Sequence, residues 1–186
     1  RLLMRVSGKF IYLKRINLKD AYFVFKLRNK KKISMFLHKP PKSISAQKRW
    51  ILNNIKNNKT LDFIIYKKKN NKKIGTIAFD KINKNNAEWG RWISQGNIFE
   101  NIESVLVLLN YGFNKLKLKN IYSLTNKDNI KVINFHKNTS ALYKGIKKSW
   151  FTINNKKKDA IKFDFNKTRF NQFNKKLNTM IESIQL

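Results

Sequence analysis

A chain of 186 residues that is 41% hydrophobic and 13% aromatic suits one domain over residues 1–186 with a buried core, so its formal net charge of +32 (42 Lys plus Arg against 10 Asp plus Glu) is not that of a disordered polycation. Cysteine is absent, which excludes disulfides and thiolate metal sites and fits a reducing, cytoplasmic compartment. No apolar run approaches the ~20 residues that span a bilayer, and Arg1–Phe10, which does not begin with Met, as in a fragment or processed chain, lacks a signal-peptide core.

Lys9–Ile16 (KFIYLKRI) alternates apolar and polar residues and predicts a strand. Asn17–Asn29 (NLKDAYFVFKLRN) follows with helical spacing, capped by Asn17 or Asp20. Two prolines make His38–Ser45 a loop, and a helix restarts over Ser45–Ile55 with Ser45 as its N-cap. Leu61–Tyr66 (LDFIIY) and Lys73–Ile82 (KIGTIAFDKI) flank a polar turn and predict a hairpin, with Ala87–Ser94 (AEWGRWIS) as a third strand. Asn101–Leu116 (NIESVLVLLNYGFNKL) is apolar nearly all round its middle, which predicts a helix buried against the sheet. Asn120–Thr125 reads as a strand and Asn126–Asn138 as a helix opened by Asp128 or Asn129. Lys147–Ile153 and Asp159–Phe165 read as antiparallel strands, and Lys167–Ile184 as a terminal helix. Helices alternating with a mostly antiparallel sheet give an α+β or mixed α/β class.

Lysine-rich pieces recur at Lys30–Lys32, Lys67–Lys73 and Lys156–Lys158, with no long basic tail. Two readings of this charge stand side by side. One is a polyanionic partner, such as RNA in a ribonucleoprotein, or a nucleotide. The other is coding bias, since Lys, Asn and Ile dominate together. The least basic part, holding Asp80, Glu88, Glu100 and Glu103, surrounds the strand-to-helix passage Glu88–Phe113. Such a passage is where many proteins hold phosphate.

The order and spacing of FKLRN (Phe25–Asn29), SAQKRW (Ser45–Trp50), KKIGTIAF (Lys72–Phe79), AEWGRWIS, ESVLVLLNYGFNKLKLKNIY and NKDNIKVINFH resemble the GCN5-related N-acetyltransferase (GNAT) superfamily. The resemblance covers about Lys9–Phe165 and points to the branch of ribosomal-protein and amino-sugar acetyltransferases. It implies acetyl-CoA as co-substrate and acetyl transfer to an amine. The family's CoA loop has the pattern Q/R-x-x-G-x-G/A; here QGNIFE (Gln95–Glu100) puts Asn97 and Phe99 where glycines usually stand.

The resemblance implies a strand ending at Trp92, Ile93 and Ser94 that splays from its neighbour and pairs with the pantetheine arm. A backbone N–H near Ile93 would polarise the thioester. Gln95, Gly96, Asn97 and the following helix start would meet the pyrophosphate. Glu88 falls beside the acceptor cleft, where it would take the ammonium proton or pair with a cationic substrate. His136 stands where many members carry a thiolate-protonating Tyr; imidazole titrates near neutrality and suits that task. Tyr143 is a second donor. Asn129 would bond the pantetheine or its strand, or only cap its helix. Glu103 is expected to complement the helix dipole, with a turn towards substrate as the alternative.

Arg28, His38 and Trp89 are candidates for the acceptor side, and Arg28 and Arg91 for a nucleotide phosphate. Trp50, Trp89, Trp92 and Trp150 also suit core packing. Two histidines without carboxylates at ligand spacing make no zinc site. The expected acceptor is a small amine, an amino sugar linked to a nucleotide. The alternatives are a protein N-terminus, or an inactive acetyltransferase fold that binds RNA.

Overall fold

The computed structural model describes residues 5–30, 35–37, 39–153 and 155–182. Eight strands form one sheet: β1 (Arg5–Ser7), β2 (Ile11–Arg15), β3 (Leu61–Lys67), β4 (Lys73–Asp80), β5 (Asn86–Ser94), β6 (Asn120–Asn126), β7 (Leu142–Ile153) and β8 (Lys156–Asn166). Their spatial order is β1-β2-β3-β4-β5-β6-β8-β7. Every neighbouring pair is antiparallel except β5 and β6. The helices are α1 (Ala21–Arg28), α2 (Ile44–Lys56), α3 (Ile98–Asn114), α4 (Ile130–Asn138) and α5 (Lys167–Glu182). This is the mixed, mostly antiparallel α/β architecture expected, and no described helix is long and apolar enough to cross a membrane.

The central strands are apolar on both sides because both faces of the sheet are covered. In β3, Phe63 and Ile65 join the larger core with α3 and α5, while Ile64 points to the smaller core under α1 and α2. The middle of α3 is buried all round, with Val105, Leu108 and Leu109 at 0% exposure. That is why its sequence lacks a polar stripe. On α5, Phe170, Phe173, Leu177 and Ile181 recur at helical spacing and close the same core.

Several boundaries differ from the sequence reading, and the short strand β1 was not expected. Asn17 caps a short 3-10 turn, Leu18–Asp20, before α1 begins. The cap of α2 is Ser43, not Ser45; its side chain accepts from the Ala46 N–H. α3 starts at Ile98, three residues before the expected Asn101, because Asn97 and Glu100 form a capping box. β7 starts at Leu142, five residues before Lys147, and runs as an edge strand with register shifts on either side of Ile146–Lys147. Gly145 and Ser149 take positive φ there, which hides the strand's alternation from a period-two reading.

Candidate active site

Strands β5 and β6 run in parallel only over Asn86–Glu88 and Asn120–Tyr122. β6 stays paired with β8 along its whole length and β5 with β4 as far as Ser94, so the sheet parts between them. A bulge in β5 lies where they part. Ala78 pairs with Gly90 and Thr76 with Ile93, so Ile77 faces two residues, Arg91 and Trp92. Arg91 sits in the left-handed region, φ +47. That conformation costs a residue with a Cβ roughly 1–2 kcal/mol. Side-chain contacts hold it there: Asp80 at 3.0 Å, the Phe79 carbonyl at 3.3 Å, and Asp62 at 3.1 Å. The Arg91 carbonyl accepts from Thr76 Oγ1.

The divergence opens a cleft of about 380 Å³. Glu88–Trp92 line it from β5, Ser123–Asn126 from β6, and Asn129, Val132 and His136 from the α4 region. The sequence candidates Glu88, Trp89, Trp92, Asn129 and His136 therefore meet at one place. Glu88 accepts from Lys81 Nζ at 2.7 Å. Burial lowers the Lys81 pKa, but the Glu88 hydrogen bond and charge outweigh it and the net direction is up. Tyr122 is pushed up by burial and then by the Glu88 charge.

Trp89 is buried against Trp92, Phe135 and His136. Its Nε1 is enclosed without a hydrogen-bond partner. Trp92 Nε1 donates to Ser104 on α3, which fixes that ring against the helix. His136 is fully buried: Nε2 lies 3.0 Å from Ser123 Oγ and 3.3 Å from Thr125 Oγ1, and the ring stacks on Phe163 at 4.3 Å. Burial pushes its pKa down to about 3, so the imidazole is neutral at physiological pH. Asn129 caps α4 by accepting from the Val132 N–H.

Other candidates stand apart. Tyr143 is exposed on the edge strand β7, across β8 from the cleft, and does not line it. His38 lies outside the described residues. Arg28 lines a second pocket of about 340 Å³ with Trp50, Asp62, Ile93, Pro40 and Pro41. The two cavities share Arg91 and Leu37. Arg28 and Arg91 lie 5.8 Å and 5.7 Å from the Trp50 ring. Burial, then the neighbouring Arg91 charge, lowers the Arg28 pKa. The sequence reading missed Asp62 and Lys81. A lone carboxylate inside the apolar run LDFIIY was the available signal for Asp62.

At the turn from β5 into α3, Ser94 Oγ accepts from the Gly96 N–H and Ile74 O from the Gln95 N–H. Gln95 Oε1 accepts from Lys30 Nζ. Asn97 Oδ1 accepts from the Glu100 N–H, and Glu100 Oε2 from the Asn97 N–H. Among the described residues, the amides of Ile98 and Phe99 are the helix-start donors left over. The cleft, the unpaired inner edge of β5 and these donors fit an extended arm that ends in an anion. Glu103 plays no part here. It is buried and accepts from the backbone N–H groups of Lys9, Phe10 and Ile11. No group of His, Asp or Glu fit to hold a metal ion occurs among the described residues.

The sequence model of the acetyltransferase (GNAT) domain family matches residues 11–139. No curated protein matches the sequence. Among solved structures, the apo form of FdhC, described as a nucleotide-linked sugar GNAT, is 24% identical with a TM-score of 0.75, over 92% of this chain and 94% of its own. Spermidine N-acetyltransferase from Vibrio cholerae, in complex with CoA and spermine, is 21% identical with a TM-score of 0.77, over 88% and 99%. A protein from Vibrio cholerae described as a ribosomal-protein-serine acetyltransferase is 15% identical with a TM-score of 0.75, over 88% and 97%. At these identities the likeness is one of fold.

Proposed function

The chain belongs to the acetyltransferase (GNAT) domain family, whose members use acetyl-CoA, and on that premise we propose that its acceptor is the primary amine of a nucleotide-linked amino sugar. The observation that carries the reading is the parting of β5 from β6 just past the Glu88–Tyr122 pair, which leaves an open cleft walled by polar groups. A scaffold that only binds RNA has no need of that cleft.

Acetyl-CoA supplies the thioester whose C–S bond breaks as the amide C–N bond forms. The inner edge of β5 beyond Glu88, through Trp92, Ile93 and Ser94, offers backbone groups to the pantetheine arm. A backbone N–H near Ile93 supports the negative charge that develops on the thioester oxygen. Glu88 takes one proton from the ammonium and frees the nucleophile. The second nitrogen proton reaches the departing sulfur within the cleft. His136 enters as a neutral group that orients the β6 hydroxyls Ser123 and Thr125, because burial denies it the proton a general acid would give. Arg28, Arg91 and the Trp50 face give the acceptor side the cationic and flat surfaces that a nucleotide would meet. The description of FdhC points to the same acceptor class.

The test is a panel of acceptors supplied with acetyl-CoA: amino-sugar nucleotides, spermidine and a peptide with a free N-terminus. Preferential acetylation of an amino-sugar nucleotide is the expected result, and Glu88→Gln lowers kcat by about 10²–10⁴-fold without weakening CoA binding. Acetylation confined to the peptide or to spermidine sinks the sugar assignment.

A further inference from the structure

Glu100 lies within the turn that would receive a diphosphate, and its carboxylate is already committed there. It accepts from the Asn97 N–H at 2.8 Å and pairs with Lys67 Nζ at 2.9 Å. The residue is only 5% exposed. A Cβ placed on Gly96 would meet Glu100 Cβ and Oε2 at 3.0 Å, so the absence of a side chain at Gly96 makes room for this carboxylate. The acid is buried in the turn, and its cation comes from the end of β3.

We propose that Glu100 is a resident counter-anion of the turn: its carboxylate stands beside the place that the diphosphate of acetyl-CoA would take, and Lys67 is the cation that offsets its charge. The proposal rests on acetyl-CoA being the co-substrate. A diphosphate seated on the Ile98 and Phe99 amides lies within one helical turn of Glu100 and carries the same sign of charge. It also competes for the same positive end of α3. Glu100 thereby lowers affinity for the diphosphate portion while leaving the pantetheine portion untouched.

The experiment compares CoA with pantetheine, which lacks the diphosphate, by calorimetry at fixed ionic strength. Glu100→Gln keeps an oxygen for the Asn97 N–H and removes the charge. It should tighten CoA by about tenfold and leave pantetheine within about twofold. Lys67→Met should weaken CoA in the parent protein and do so less in the Glu100→Gln background, a coupling that simple surface attraction does not produce. Thermal melts check that each variant is folded.

If pantetheine binds and Glu100→Gln leaves CoA unchanged or weaker, the counter-anion role is wrong and the acetyl-CoA reading stands. Additive effects of the two substitutions overturn the part assigned to Lys67. If no protein in the set binds either compound, the acetyl-CoA reading fails and takes this proposal with it.

Discussion

The guanidinium Nε of Arg91 lies 3.1 Å from the carboxylate of Asp62, and this pair ties a left-handed residue in the middle of β5 to the floor of β3. The contact works through charge at close range, since Nε lacks an aligned hydrogen bond. Asp62 needs it. Burial raises the Asp62 pKa, and Arg91 and the Asn54 side chain pull it back without cancelling the rise. Removing the cation leaves a buried carboxylate with the Asn54 hydrogen bond and the charges of Arg15 and Arg28. Arg91→Met should therefore cost about 2–3 kcal/mol, and adding Asp62→Asn should recover part of it. Urea denaturation of the single and double variants checks this. A double variant no more stable than Arg91→Met would show that the bulge does not depend on the pair.

His136 makes stability depend on acid. Its pKa is about 3 in the native protein and 6.5 ordinarily. Between those values the unfolded chain binds a proton that the native chain refuses, so stability is full above 6.5 and falls as pH drops. The slope from this one group approaches ~1.4 kcal/mol per pH unit. His136→Gln stays neutral throughout, so its urea midpoint should fall less steeply than the parent's between about pH 6.5 and 5, before most carboxylates titrate. Equal slopes would mean that the imidazole is not shielded as its contacts indicate.

Much of this architecture was legible because local patterns and tertiary packing agree. The apolar run of β3 and the all-round apolar middle of α3 carry the two-faced burial directly. The placing of Glu88, Asn129 and His136 at one cleft was implied by the family resemblance. What their environments do to them was not. A sequence shows His136 as a titratable group near neutrality, but Phe163 and the hydroxyls of β6 that enclose it come from remote positions. The start of α3 was misplaced for a different reason. Asn97 and Glu100 form a recognisable N-x-x-E capping pattern, but they also stand where the family's glycine-rich phosphate loop falls, and the two patterns place the helix start differently. Arg91 carries no sequence signal for a left-handed backbone, because the contacts that hold it, Asp62 and Asp80, lie on two other strands.

Glu103 yields the third prediction. Its carboxylate gathers the N–H groups of Lys9, Phe10 and Ile11, three donors at the turn between β1 and β2. It does so from α3, and so pins the first hairpin to the central helix. Gly8 is the other half of this contact: a Cβ there would lie 2.5 Å from Glu103 Cδ. Glu103→Gln leaves one oxygen for three donors and should cost about 2 kcal/mol. Gly8→Ala displaces the same carboxylate and should cost a comparable amount. Because both act on one contact, Gly8→Ala in a Glu103→Ala background should cost clearly less than in the parent. Chemical denaturation of the four proteins measures the coupling. If the two losses simply add, Gly8 matters for its own backbone and not for the approach of Glu103.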